Sequence, residues 1–143
     1  VAELLLNKDA DVNAKANNGG TALIRASWNG HAGVAELLLN HGADVNAKAN
    51  DGGSALIRAS LNGRSGVAGV LLNHGADVNA RDHNGGTALM HASWHGHSEV
   101  VALLLNHGAD MGAKDHNGET ALMCASSNGH ASVVELLEKH GPH

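Results

Sequence analysis

The stretch LLLNHGADVNA at 37–47 returns, barely altered, as LLLNKDADVNA at 4–14, VLLNHGADVNA at 70–80 and LLLNHGADMGA at 103–113. The copies begin at 4, 37, 70 and 103, so the chain repeats itself every 33 residues. A second phrase keeps the same step: TALIRASWNGH from Thr21, SALIRASLNGR from Ser54, TALMHASWHGH from Thr87 and TALMCASSNGH from Thr120. A fixed period over a whole chain argues against an ordinary globular core, in which each segment has different neighbours. It calls for a stack in which every unit is the wall of the next.

Composition agrees. Hydrophobic residues make up 43% of the 143, yet Trp28 and Trp94 are the only aromatic ones. Small aliphatic side chains suit a thin core between regularly spaced elements, whereas large rings fill irregular interiors. A net charge of −5 argues against a nucleic-acid partner, which requires a basic face. Cys124 is the single cysteine, so no internal disulfide can form and a reducing, cytoplasmic compartment is expected. No apolar run approaches the roughly 20 residues of a membrane helix, and no membrane partner is expected.

Each unit reads as two short helices and a turn. Thr21 can cap the first helix by accepting an amide of its first turn. Ala22, Leu23, Ile24 and Ala26 then supply an apolar face, and Gly30 stops the helix. The second helix places Val34, Ala35, Leu37 and Leu38 on one stripe and ends near Gly42. The polar residues before the glycine pairs 19–20, 52–53 and 85–86 read as an extended hairpin tip. Helices shorter than about 12 residues are marginal alone in water, so each must bury its stripe against a neighbour.

The unit DHNGETALMCASSNGHASVVELL resembles an ankyrin repeat. That family's pattern runs D-x-x-G-x-T-P-L-H-x-A-A-x-x-G-H, then a V-V-x-L-L-L helix and G-A-D-V-N-A. The resemblance covers essentially the whole chain. It implies an all-α solenoid of helix-turn-helix units with β-hairpin tips: a partial repeat at 1–15, repeats at 16–48, 49–81 and 82–114, and an incomplete C-terminal repeat at 115–143. The family's Pro is Ala22, Ala55, Ala88 and Ala121 here, and its His is Ile24, Ile57, Met90 and Met123. The family's Thr-to-His hydrogen bond cannot form, and an apolar contact takes its place.

The ends and the glycines carry further expectations. Residues 1–6 read as a second helix without its first, from a fragment or from an array that extends upstream. Their apolar stripe predicts mobility or an end-to-end contact with another copy. In the last helix, Glu138 and Lys139 suggest a polar terminal cap. In the second helix of 49–81, Gly66 and Gly69 each cost about 1 kcal/mol relative to Ala, which marks this unit as the first to open.

Histidine is the tempting chemical residue, with twelve in the chain. His41, His74, His107 and His140 fall at second-helix ends, where a partly cationic ring complements the helix dipole. His31, His97 and His130 fill the family's Gly-His position, with Arg64 as the exception. His91 and His95 are four apart and, with His97, offer a metal-dependent hydrolase reading; no Glu follows His91, so this is not a metalloprotease helix. Cys124 and His91 share a repeat slot, but an open stacked face offers no oxyanion hole, and Cys124 reads as a small buried filler. The glycine pairs lack the Lys-Ser/Thr of a phosphate loop. Neither an enzyme, a cofactor nor a metal site is expected.

Surface remains. In ankyrin proteins the partner usually lies against hairpin tips and first helices, so the resemblance implies a non-catalytic module binding a protein or extended peptide there. By position the first-helix candidates are Arg25, Trp28 and Asn29; Arg58, Leu61 and Asn62; and His91, Trp94 and His95. The tip candidates are Asn50 and Asp51; His83 and Asn84; and His116, Asn117 and Glu119. These slots differ most between copies while the packing slots stay alike. Lys15, Lys48, Arg81 and Lys114 form a cationic ladder that either meets an acidic peptide or is neutralised by Asp11, Asp44, Asp77 and Asp110 four residues earlier. Asn13, Asn46 and Asn79 are expected to bond local backbone in the turn, and the resemblance also makes them similar to asparaginyl hydroxylase targets. Repeats 16–48 and 49–81 agree at 25 of 33 positions, which also suits an idealised designed scaffold with no natural partner.

Overall fold

The computed structural model describes residues 12–17 and 19–140. The expected helix at 1–6 and Asn18 lie outside them. The described residues form eight α-helices: α1 Ala22–Asn29, α2 Ala32–Asn40, α3 Ala55–Leu61, α4 Ser65–Asn73, α5 Ala88–His95, α6 Ser98–Asn106, α7 Ala121–Ser127 and α8 Ala131–His140.

Local chemistry starts and stops each pair. Thr21, Ser54, Thr87 and Thr120 are N-caps whose hydroxyls accept from the amides of Ile24, Ile57, Met90 and Met123. The hydroxyl that would meet His in the family pattern thus caps its own helix. Gly30 ends α1 at φ 79° and Gly96 ends α5 at φ 76°, a left-handed conformation that a side chain strains. The His31 amide then reaches back to the Ala26 carbonyl at 3.0 Å, satisfying an orphan acceptor of the helix end.

First helices stack on first helices (α1, α3, α5, α7) and second on second (α2, α4, α6, α8), giving a two-layer solenoid. Alanine sets the close approach: Ala59, Ala92 and Ala125 are fully buried where first helices meet. Leu23, Leu56 and Leu89 fill the space beside them, and Val67, Val100, Leu71, Leu104 and Leu137 fill the second layer. Ile24, Ile57 and Met90 are buried as the loss of the family's His requires, but Met123 is 49% exposed. On α8, Glu138 and Lys139 are exposed. On α7, Leu122 and Met123 face out.

The tips differ from the expected hairpins. Among the described residues there is no strand; isolated bridges Lys48–Ser54 and Arg81–Thr87 close them. Within each, the turn tightens through pairs such as Ala49 N–H to Gly53 C=O and Gly52 N–H to Ala49 C=O, both 2.9 Å. Adjacent tips are joined: the His83 amide donates to the Asp51 carbonyl and the His116 amide to the Asn84 carbonyl, each at 3.0 Å. A loop this short satisfies its backbone through its neighbour rather than through a strand partner.

Candidate functional site

The first helices and tips form one continuous surface, and most of its polar residues prove to be fasteners between units. The cationic ladder is the clearest case. The Lys15 ammonium donates to the Lys48 carbonyl at 3.1 Å, Lys48 to the Arg81 carbonyl at 2.9 Å, and Arg81 to the Lys114 carbonyl at 2.7 Å. The expected neutralisation by the preceding aspartates is therefore corrected for three of the four: Asp44, Asp77 and Asp110 instead cap their own turns, accepting from the amides of Asn46, Asn79 and Gly112, while Asp11 lies outside the described residues. Two residues after an Asp, a backbone amide lies nearer than a long side chain.

The asparagines are corrected in the same sense. The side chains of Asn13, Asn46 and Asn79 reach the next unit: their Oδ1 atoms accept from the amides of Asp44, Asp77 and Asp110, 31 residues on, at 2.7–2.8 Å. A third set of fasteners escaped the sequence reading. Arg64 Nε donates to the Trp28 carbonyl, His97 Nε2 pairs with the Leu61 carbonyl, and His130 Nε2 with the Trp94 carbonyl, at 3.2, 3.1 and 2.8 Å. The signal was the shared Gly-His slot, where Arg and His have in common only a reaching nitrogen. A Cβ at Gly63 or Gly96 would lie 2.6 Å from the His97 or His130 ring, so these glycines also clear the path. His41, His107 and His140 turn Nδ1 to the carbonyl four residues back.

The candidate residues divide accordingly. Asn50 and Asn62 donate their amides to the Asn17 and Trp28 carbonyls. The amides of Asn117 and Glu119 are held by Asp115 Oδ1, and that of Asn84 by Asp82 Oδ1. Leu61 is half-buried, and His83 and His116 serve through their backbones. Arg58 Nη2 grips both oxygens of Asp51 at 2.7 and 2.8 Å, and this bond holds the Asp51 carboxyl below its ordinary range. Arg58 also lies 6.0 Å from the centre of the Trp28 ring, a cation–π distance. His91 Nε2 meets Asp82 Oδ2 at 2.8 Å. Burial pushes the Asp82 pKa up, but the bonds from His91 and the Gly86 amide outweigh it and leave the group more acidic than usual.

What stays open is Arg25, Trp28, Asn29, Trp94 and His95, all exposed. The two indoles keep 43% and 44% of their surface. A cleft of about 340 Å³ opens among Thr21, Ile24, Arg25, Trp28, Ala49 and Arg58.

His91 is turned to Asp82 while His95 and His97 stack at 5.9 Å, and among the described residues no three His, Cys, Asp or Glu side chains converge on one point. Burial, then the charges of His97, His91 and His130, lower the His95 pKa. Cys124 is buried, and burial followed by Glu119 and Asp115 pushes its thiol up to about 11, far from the thiolate that nucleophilic catalysis needs.

A family model described as ankyrin repeats matches the chain three times, over residues 1–82, 42–115 and 81–143. The chain belongs to the ankyrin repeat family. Ankyrin repeats are generally protein–protein interaction modules and typically not enzymes. No curated protein matches the chain significantly. Among the described residues no helix is long and apolar enough to cross a membrane.

Proposed function

We propose that the chain is a non-catalytic module that binds a protein or an extended peptide on the surface made by its first helices and tips. The observation that carries this reading is the pair of indoles. In a chain with no other aromatic residue, whose packing slots are filled by Ala, Leu, Val, Ile and Met, Trp28 and Trp94 are nearly half exposed. A stack built on small residues has no use for exposed tryptophan, whereas a binding surface does, since such anchors carry much of the energy of recognition. The two occupy the same slot 66 positions apart, a separation that suits an extended segment or the rim of a folded protein.

The test is capture of partners from a lysate by the full chain, compared with a Trp28→Ala, Trp94→Ala double variant. Binding should weaken by about 2 kcal/mol or more, with helical content unchanged. A double variant that loses its fold while its folded fraction binds normally would assign the indoles to packing and move the interface elsewhere.

A further inference from the structure

The slot that faces the tip from each first helix reads Arg25, Arg58, His91 and Cys124. Two of its basic members are matched by a carboxylate from their own tip: Arg58 by Asp51 at 2.7 Å and His91 by Asp82 at 2.8 Å. Both pairs rest on the second glycine of the tip. A Cβ at Gly53 would lie 3.0 Å from Arg58 Cζ and from Asp51 Oδ1, and one at Gly86 would lie 2.9 Å from His91 Nε2 and 3.2 Å from Asp82 Oδ1. The fourth copy, where the basic residue has become Cys124, has Glu119 in place of that glycine. Glycine and base thus occur together, and together they make the floor and the cation of a small ion-pair seat.

The first copy has the floor, Gly20, and the cation, Arg25, but not the acid. Asn18 stands at the position of Asp51, and Ala16 at that of Asp82. Among the described residues the Arg25 side chain has no ion-pair or hydrogen-bond partner, and it lines the cleft of about 340 Å³ that Trp28 walls. Arg58, which also lines the cleft, is already neutralised by Asp51, which leaves Arg25 as the unbalanced charge. The ladder cations Lys15 and Lys48 are held by backbone carbonyls.

We infer that this cleft takes a carboxylate side chain, Asp or Glu, from an extended segment of a protein partner. The carboxylate stands toward Arg25 as Asp51 stands toward Arg58, and the neighbouring part of the segment lies on the exposed face of Trp28. The inference rests on the protein-binding reading above and adds the chemistry of one contact. It also relocates acidic recognition: the ladder holds the units together, and Arg25 reads the partner. Because the chain is acidic overall, a carboxylate gains nothing from long-range attraction, so its recognition depends on this local match.

The test uses the full chain and a displayed library of random linear peptides. Peptides selected on the unaltered protein should share one anchored Asp or Glu beside an apolar residue. Replacing that residue by Asn or Gln should weaken binding about tenfold, the scale of one partly exposed charge-assisted hydrogen bond. Asn18→Asp supplies the internal acid that the second copy already has, and Arg25→Gln removes the cation; each should erase the acidic preference while helical content stays the same. Should Asn18→Asp disturb the fold, the Arg25 variant decides alone. An acidic preference that survives Arg25→Gln overturns the inference, as does a stronger preference for phosphoserine than for Asp or Glu. Binders that need Trp28 and Trp94 but share no acidic position overturn this inference and leave the protein-binding reading standing. A library that yields no binder overturns both.

Discussion

The helix pairs α5–α6 and α7–α8 begin with almost the same words, TALMHAS and TALMCAS, yet they are differently buried. Leu89 is 1% exposed and Leu122 37%; Met90 is 4% exposed and Met123 49%. Ser93 is fully buried, whereas Ser126 is exposed. The difference lies in the neighbours. α5 stacks on two first helices, α3 and α7, while among the described residues α7 stacks on one, α5. In a solenoid, a residue's energetic weight is set by its place in the stack as much as by its chemistry.

The largest effect that would sharpen this contrast is a leucine truncation made in both places. Leu89→Ala leaves a cavity between three helices and should cost about 3–5 kcal/mol. Leu122→Ala, at an open face, should cost about 1 kcal/mol or less. Urea unfolding of both variants checks this, and equal losses would mean that something covers α7 in solution.

The serines give an effect of opposite sign. Ser27 returns its hydroxyl to the Leu23 carbonyl at 2.7 Å, but among the described residues the buried hydroxyls of Ser60 and Ser93 have no partner. Removing an unsatisfied buried group should stabilise, so Ser93→Ala is expected to gain about 1 kcal/mol. Ser126→Ala should change stability by less than about 0.5 kcal/mol. Thermal melts of the two variants would break the comparison if they moved alike.

The smallest effect concerns α4. Its glycines mark it as the first helix to open, yet the stack buries Val67, Ala68, Leu71 and Leu72 from both sides. The one-sided α7–α8 pair should therefore exchange its amides ahead of α4. Faster exchange at 66–72 than at 121–137 would show that backbone entropy outweighs position. A Cβ at Gly69 meets nothing within 4 Å, so Gly69→Ala should add about 0.5–1 kcal/mol.

Much of this was legible in the sequence because its causes are local. The caps at Thr21 and Thr87 and the stops at Gly30 and Gly96 involve atoms within one turn, and the period fixed what each stripe must pack against. The fasteners were not legible in the same way. For Lys48 and Asn46 the sequence points to partners near in the chain, whereas their bonds go 33 and 31 residues ahead. Periodicity says that equivalent residues align; it does not say which atom of the next unit comes within 3 Å.

By itself, then, the sequence determined the unit, its helices and the stacking axis, since a 33-residue period and residue-level capping rules leave little else possible. The tertiary structure decided which polar residues are consumed in holding the stack and which remain open. Lys15 and Arg25 look equally available as letters. Lys15 is spent on the Lys48 carbonyl, and Arg25 stands open because the acid that binds its counterpart Arg58 is an asparagine in its own copy. Side-chain reach across one helix-packing distance, about 10 Å, makes that choice, and it exists only once the units are stacked.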